Sequence, residues 1–326
     1  WGFRAYGSRD HQMEYIDLGA RDGPVLLFGG SYSNAHAAHA MKNWATAHKI
    51  ADDHRIMTGD SVAYCAHPNE TVDLIRGFGA AMVAGNCEKQ LANYAQDCGC
   101  GFEEGSLCDR LSARWFHFAT GQLRTDLRRW MTTLPDIIIF SHQELRVAVI
   151  HGGVSDIARF LWPNSPQAEF ETEIKLLRHY VGDVDLVVAG HCGFAFSRQI
   201  GPVTWINAGA IGMPAHCGDP RTRFAVLENQ KPKFHHLSYD HYAASQAMKN
   251  AGLHQGYHKS LVDGYWPSEE VLPAELRREL AIGGLLSTRS RRRVSRTWVY
   301  ISVVDMSLWP SRVCITRKSA PFDKRW

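Results

Sequence analysis

Four residues of metal-binding type stand at or just past the ends of short apolar runs: Asp60, Asn86, His151 and His191. Each has a glycine beside it, so each run ends by handing a ligand-type side chain to a tight loop, where open α/β sheets meet their ligands. A carboxylate, an amide oxygen and two imidazoles suit Zn, Mn or Fe better than Ca or Mg. One such histidine alone reads as a hydrogen-bonded loop residue. Four of these residues, scattered along the chain, read as a site that only the fold assembles.

The apolar runs that must position them cover residues 25–28, 55–58, 81–84, 145–150 and 186–189. Helical stretches lie between: one capped by Asn34 and reaching about Ile50, one opened by Pro68, one from Glu88 to about Gln96, then 124–134 and 169–180. Strands and helices alternating at this spacing predict parallel strands in a layered sheet. Residues 136–142 and 145–150 read as a hairpin. Residues 200–206 and 224–227 read as antiparallel strands joined through 207–212, so that a second sheet stacks on the first. A helix over 239–250 opens a C-terminal extension to residue 282. Residues 97–122 break the rhythm and read as an inserted Cys/Gly-rich cap over one end of the sheet.

The 326 residues are 45% hydrophobic and 21% charged, ordinary for a soluble protein with one main domain, here 14–282. No apolar run approaches the roughly 18 residues that span a bilayer, and Trp1 to Arg4 is no secretory signal. A cytoplasmic protein with no membrane partner is expected. Residues 1–13 start without Met and read as a fragment edge or an upstream read-in. The net charge of +3 is unevenly placed: residues 289–326 hold ten Lys/Arg against Asp305 and Asp323, which leaves the body acidic. Residues 283–326 therefore read as a basic, disordered or non-native tail, the one segment with a charge suited to nucleic acid. Eight cysteines without an export signal read as reduced thiols. Among them Cys98, Cys100 and Cys108 fall one ligand short of a zinc set.

In the order of its motifs the chain resembles the calcineurin-like metallophosphoesterases, in their compact bacterial phosphodiesterase branch, over residues 24–240. The resemblance rests on residues 59–64 with 68–70, Gly85 and Asn86, His151 and Gly152, Gly190 and His191, and 207–212 followed by 218–221. It implies a four-layer αββα sandwich of two stacked mixed sheets with a two-metal centre at the strand ends. The family's first motif, Asp-x-His, falls here on Gly30 and Tyr32. Its leaving-group histidine falls on Cys87, and the second histidine of its last motif on Gly193. The resemblance thus implies that one metal has lost every ligand but the bridging Asp60, while the other keeps Asp60, Asn86, His151 and His191. One divalent ion is expected, Mn, Zn or Fe, without a second. Cys87 becomes the candidate catalytic residue, as a general acid, with Cys192 and Glu88 as further compensating groups; a small residue filling the histidine's space is the plainer reading of Cys87.

Two functions compete. One is metal-dependent hydrolysis of a phosphodiester or phosphomonoester, a small nucleotide included, by a centre with one retained metal site. The other is a non-catalytic binding or scaffold protein that keeps the fold and one metal. A redox or thiolate centre of Cys65, Cys87 and Cys192 is a third reading.

Overall fold

The computed structural model describes residues 13–278. The expectations for the basic tail and for the start of the chain fall outside the described residues.

Strand β2 (Val25–Phe28) shows how the layers are specified. Its side chains alternate with the two-residue period of a strand. Leu26 and Phe28 pack with Met41 and Ala45 of helix α1 (Ala35–Ala47) and with Ile75 of α2 (Pro68–Gly77), whereas Val25 and Leu27 enter the core between the sheets. Parallel to β2 run β3 (Arg55–Met57) and then β4 (Ala81–Met82). On its other side β10 (Thr222–Glu228) pairs antiparallel, with β11 (Lys231–Leu237) at the edge.

The second sheet has the order β1 (Tyr15–Ala20), β5 (Ile137–His142), β6 (Leu145–Val149), β7 (Leu186–Ala189), β9 (Val203–Ala208), β8 (Ala195–Ile200). Ile138, Phe140, Val149 and Val188 face Leu27, Ile56 and Ala225 across the sandwich. Ile137, Ile139, Val187 and Trp205 meet Phe170, Ile174 and Leu177 of α6 (Gln167–Val181) on the outer face. Each such Leu, Ile or Phe stabilises the fold by roughly 1.5–3 kcal/mol. The layers are thus α1 and α2, a five-stranded sheet, a six-stranded sheet, and α6, which is the αββα sandwich.

Three details differ from the sequence expectation. Residues 200–206 are not one strand, because Gly201 and Pro202 turn the chain between β8 and β9. Strands β9 and β10 do not pair with each other; residues 207–212 cross from one sheet to the other. The cysteines are not all reduced thiols, because Cys98 and Cys100 form a disulfide, their Cα atoms 5.3 Å apart and within bonding range. That also removes them as zinc thiolates.

Residues 97–122 carry this disulfide and helix α4 (Leu107–Gln122), capped by Ser106. Trp115 and Phe116 of α4 pack in one cluster with Tyr64, Leu127 of α5 (Thr125–Met131), Met248 of α7 (His241–Asn250) and Tyr257 of α8 (Tyr257–Asp263). This cluster lies beside the strand ends that carry the ligand-type residues. No helix among the described residues is long and apolar enough to cross a membrane.

Candidate metal centre

The loops after β3, β4, β6 and β7 meet, and they bring all four sequence candidates together. His151 Nε2 lies 3.0 Å from Asn86 Oδ1, 3.1 Å from His191 Nδ1 and 3.3 Å from Asp60 Oδ2. One ligand atom from each of Asp60, His151 and His191 falls within 4.8 Å of the others. His151 Nδ1 donates to the Thr58 carbonyl at 2.6 Å, which turns the other ring nitrogen inward. Asn86, the first residue of α3 (Asn86–Ala92), donates its amide NH₂ to the Cys98 carbonyl at 2.9 Å, which leaves its oxygen facing the centre.

Four electron-rich atoms therefore point at one place, and only a cation or a proton satisfies them there. The titration behaviour follows the same logic. Burial alone would lower the His151 imidazole, but the Asp60 carboxylate and the Thr58 carbonyl more than offset it and hold the ring above its usual value. Burial would raise Asp60, yet His151 and then His191 bring it below the ordinary carboxylate range. Burial and the neighbouring His151 push His191 down to about 3, so its lone pair is free at working pH. A proton on His151 and a divalent ion compete for one position, and the mixed N/O donor set fits Zn, Mn or Fe.

Glu88 builds the loop that carries Asp60. Fully buried, its carboxylate accepts from Asp60 N at 2.8 Å, Ser61 N at 2.7 Å, Ser61 Oγ at 2.7 Å and Gly85 N at 2.9 Å. All its strong acceptor positions are used in holding backbone, so it is a positioning residue and not a replacement ligand. Gly59 lets this loop close: at φ +97°, a Cβ there would meet Gly85 N and His151 Nδ1 at 2.7 Å. Glu173 does similar work for the loop after His151, accepting from Val154 N at 2.6 Å and Ser155 N at 2.9 Å. Asn207 supports the remaining loop by donating to the Gly190 carbonyl at 2.6 Å.

Gly30 and Tyr32 are joined in space. A Cβ on Gly30 would lie 2.2 Å from the Tyr32 ring, which stacks over the glycine and packs edge-on against Tyr64 with centroids 5.0 Å apart. The ring thus fills the place where a side chain at position 30 would stand. Cys87 sits beside the centre, its thiol pushed well up by burial and by the charges of Asp60 and Glu88, and it keeps its proton. Burial also drives Cys192 up to about 12 and raises Cys65. Cys65, Cys87 and Cys192 form no group able to hold a metal among the described residues.

The Glu88 clamp was legible in part, because a Glu three residues after Gly85 is the acidic member of a capping box. The reach across to Asp60 and Ser61 has no local signal. Nor has the Thr58 carbonyl, which is backbone.

The model of the calcineurin-like phosphoesterase superfamily domain matches residues 30–231. A metallophosphoesterase from Sphaerobacter thermophilus is 21% identical, with a TM-score of 0.57, over 75% of this chain and 100% of its own. A hypothetical protein from Pyrococcus horikoshii is 15% identical, with a TM-score of 0.61, over 75% of this chain and 99% of its own. At these identities the likeness concerns the fold. No curated protein sequence matches the chain.

Proposed function

The chain belongs to the calcineurin-like phosphoesterase superfamily, and from that premise we propose that it is a one-metal phosphoesterase, hydrolysing a phosphodiester or phosphomonoester more slowly than a two-metal centre would. The convergence of Asp60, Asn86, His151 and His191 on one position carries this reading. A divalent ion held there by these residues would polarise a phosphoryl oxygen and acidify a water.

The chain's own residues supply the rest. Glu88 fixes the backbone of Asp60 and Ser61. The Thr58 carbonyl sets the His151 tautomer. Cys87, in the position of the family's leaving-group histidine, offers a protonated thiol; with its acidity suppressed it donates a hydrogen bond more readily than a proton, which slows departure of the leaving group.

The same observation favours a second reading, in which the ion and a phosphoester bind without turnover. Assay of Mn-loaded wild type and His191→Ala on a bis-aryl phosphate separates the two. We expect turnover below about 1 per second, under the ordinary enzyme range, and none in His191→Ala. The left-handed backbone at position 191, φ +60°, is a cost that His and Ala share through their Cβ, so the variant is expected to fold. Retention of the ion without any turnover in wild type selects the binding protein. Rates of hundreds per second would rule out the slow one-metal reading.

A further inference from the structure

One space adjoins the centre and an outer groove lies next to it, with Phe160 forming a wall of both. The inner one, against Asp60 and His191, amounts to about 50 Å³, room for about three or four water-sized groups. A phosphoryl group fits there. The outer one is an open groove of about 640 Å³ on the far side of Phe160. The Phe160 ring lies 4.3 Å from the His191 ring and parallel to Trp162, with centroids 5.2 Å apart. Phe160 is the residue that the two spaces share, so a substituent reaching from one to the other passes along this aromatic pair.

Charge restricts the ligand further. Among the described residues lining the two spaces there is no Lys or Arg. Asp60 stands in the inner space, Glu169 and Glu275 line the outer groove, and nearby Arg159 pairs with Glu169 and Glu173. A second phosphate beyond the first would meet Glu169 and Glu275, while the nearby Arg159 and Arg198 are already engaged, by Glu169 and Glu173 and by the Pro163 and Ser165 carbonyls, the reverse of polyphosphate sites, where free Arg or Lys forks onto the oxygens.

We infer that the substrate is a phosphoester with a single phosphoryl group and a flat apolar substituent, seated on Phe160 and Trp162 in the outer groove, and that di- and triphosphates are excluded. This rests on the one-metal phosphoesterase reading, to which it adds the substrate class and Phe160 as its specificity residue.

The test is calorimetric titration of Mn-loaded protein with three probes that need no turnover: methylphosphonate, benzylphosphonate and pyrophosphate, with ion content measured after each run. Benzylphosphonate should bind at least about tenfold tighter than methylphosphonate, equivalent to 1.4 kcal/mol, and pyrophosphate more weakly than either. In Phe160→Ala the benzyl advantage, read as the ratio of the two affinities within the same variant, should fall to about twofold. Phe160→Leu, which keeps apolar volume without the ring, should fall between, and melting temperatures show that both variants fold. Pyrophosphate binding as tightly as benzylphosphonate, or a benzyl advantage that survives Phe160→Ala, overturns the inference. If methylphosphonate binds and the benzyl group adds nothing, the inference fails and the one-metal reading stands. If no probe binds the loaded protein, both fail.

Discussion

Glu88→Ala is expected to destabilise the protein by about 4 kcal/mol or more and to abolish ion binding. The substitution strands three backbone N–H groups and one hydroxyl in a buried loop, and each stranded donor costs about 1–3 kcal/mol. Against a typical total stability of about 5–15 kcal/mol, that is a large loss. Glu88→Gln should do little better, because Oε1 and Oε2 each accept from two donors and an NH₂ in either place opposes a backbone N–H. Ser61→Ala removes one of the four bonds and should cost about 1 kcal/mol. Chemical denaturation gives the stabilities and elemental analysis the ion content. A Glu88→Ala protein as stable as wild type would show that the clamp is incidental.

Gly30→Asp carries the other large effect. Its Cβ would overlap the Tyr32 ring, and that ring is 6% exposed and walled by Tyr64. Overpacking of this kind costs about 1–3 kcal/mol, and a carboxylate buried near Asp60 adds to it. We expect a loss of about 3 kcal/mol or more, with a melting temperature lower by roughly 6–12 °C for a chain of this size. Tyr32→His in the same chain removes the obstacle and should restore about half or more of the loss, a coupling well above the few tenths of a kcal/mol of independent sites. Addition of Gly193→His then completes a second set of ligands with Asp60. Thermal melts of the two single variants and the double variant check the coupling; additive effects would mean that the ring does not occupy the position 30 space.

Much of this was legible because it is local. The alternating Leu26 and Phe28 against Val25 and Leu27 assign β2 to two layers, and Asn34 announces the helix that follows by accepting from Ala37 N. The four ligand candidates were legible by type and by the glycines beside them. Strand β1, exposed along nearly its whole length, and the edge strand β11 with Lys231, Lys233 and His236 carry too little apolar period to announce themselves. The sequence presents Gly30 and Tyr32 as two separate departures from the motif it resembles; only the folded chain joins them, with the Tyr32 ring lying where a side chain at position 30 would stand. The thiols were misleading as reactive groups, because their acidity is decided by burial, and the Cys98–Cys100 disulfide by the approach of two backbone positions.

The number of ions per chain tests the one-metal centre most directly. Protein equilibrated with Mn or Zn, freed of loose metal by gel filtration and measured by elemental analysis should hold one ion per chain. His191→Ala should lose most of its ion in the same treatment, since one of the two imidazole donors is gone and only Asp60, Asn86 and His151 remain. Two ions per wild-type chain, or one that survives His191→Ala, would contradict a single centre built on Asp60, Asn86, His151 and His191.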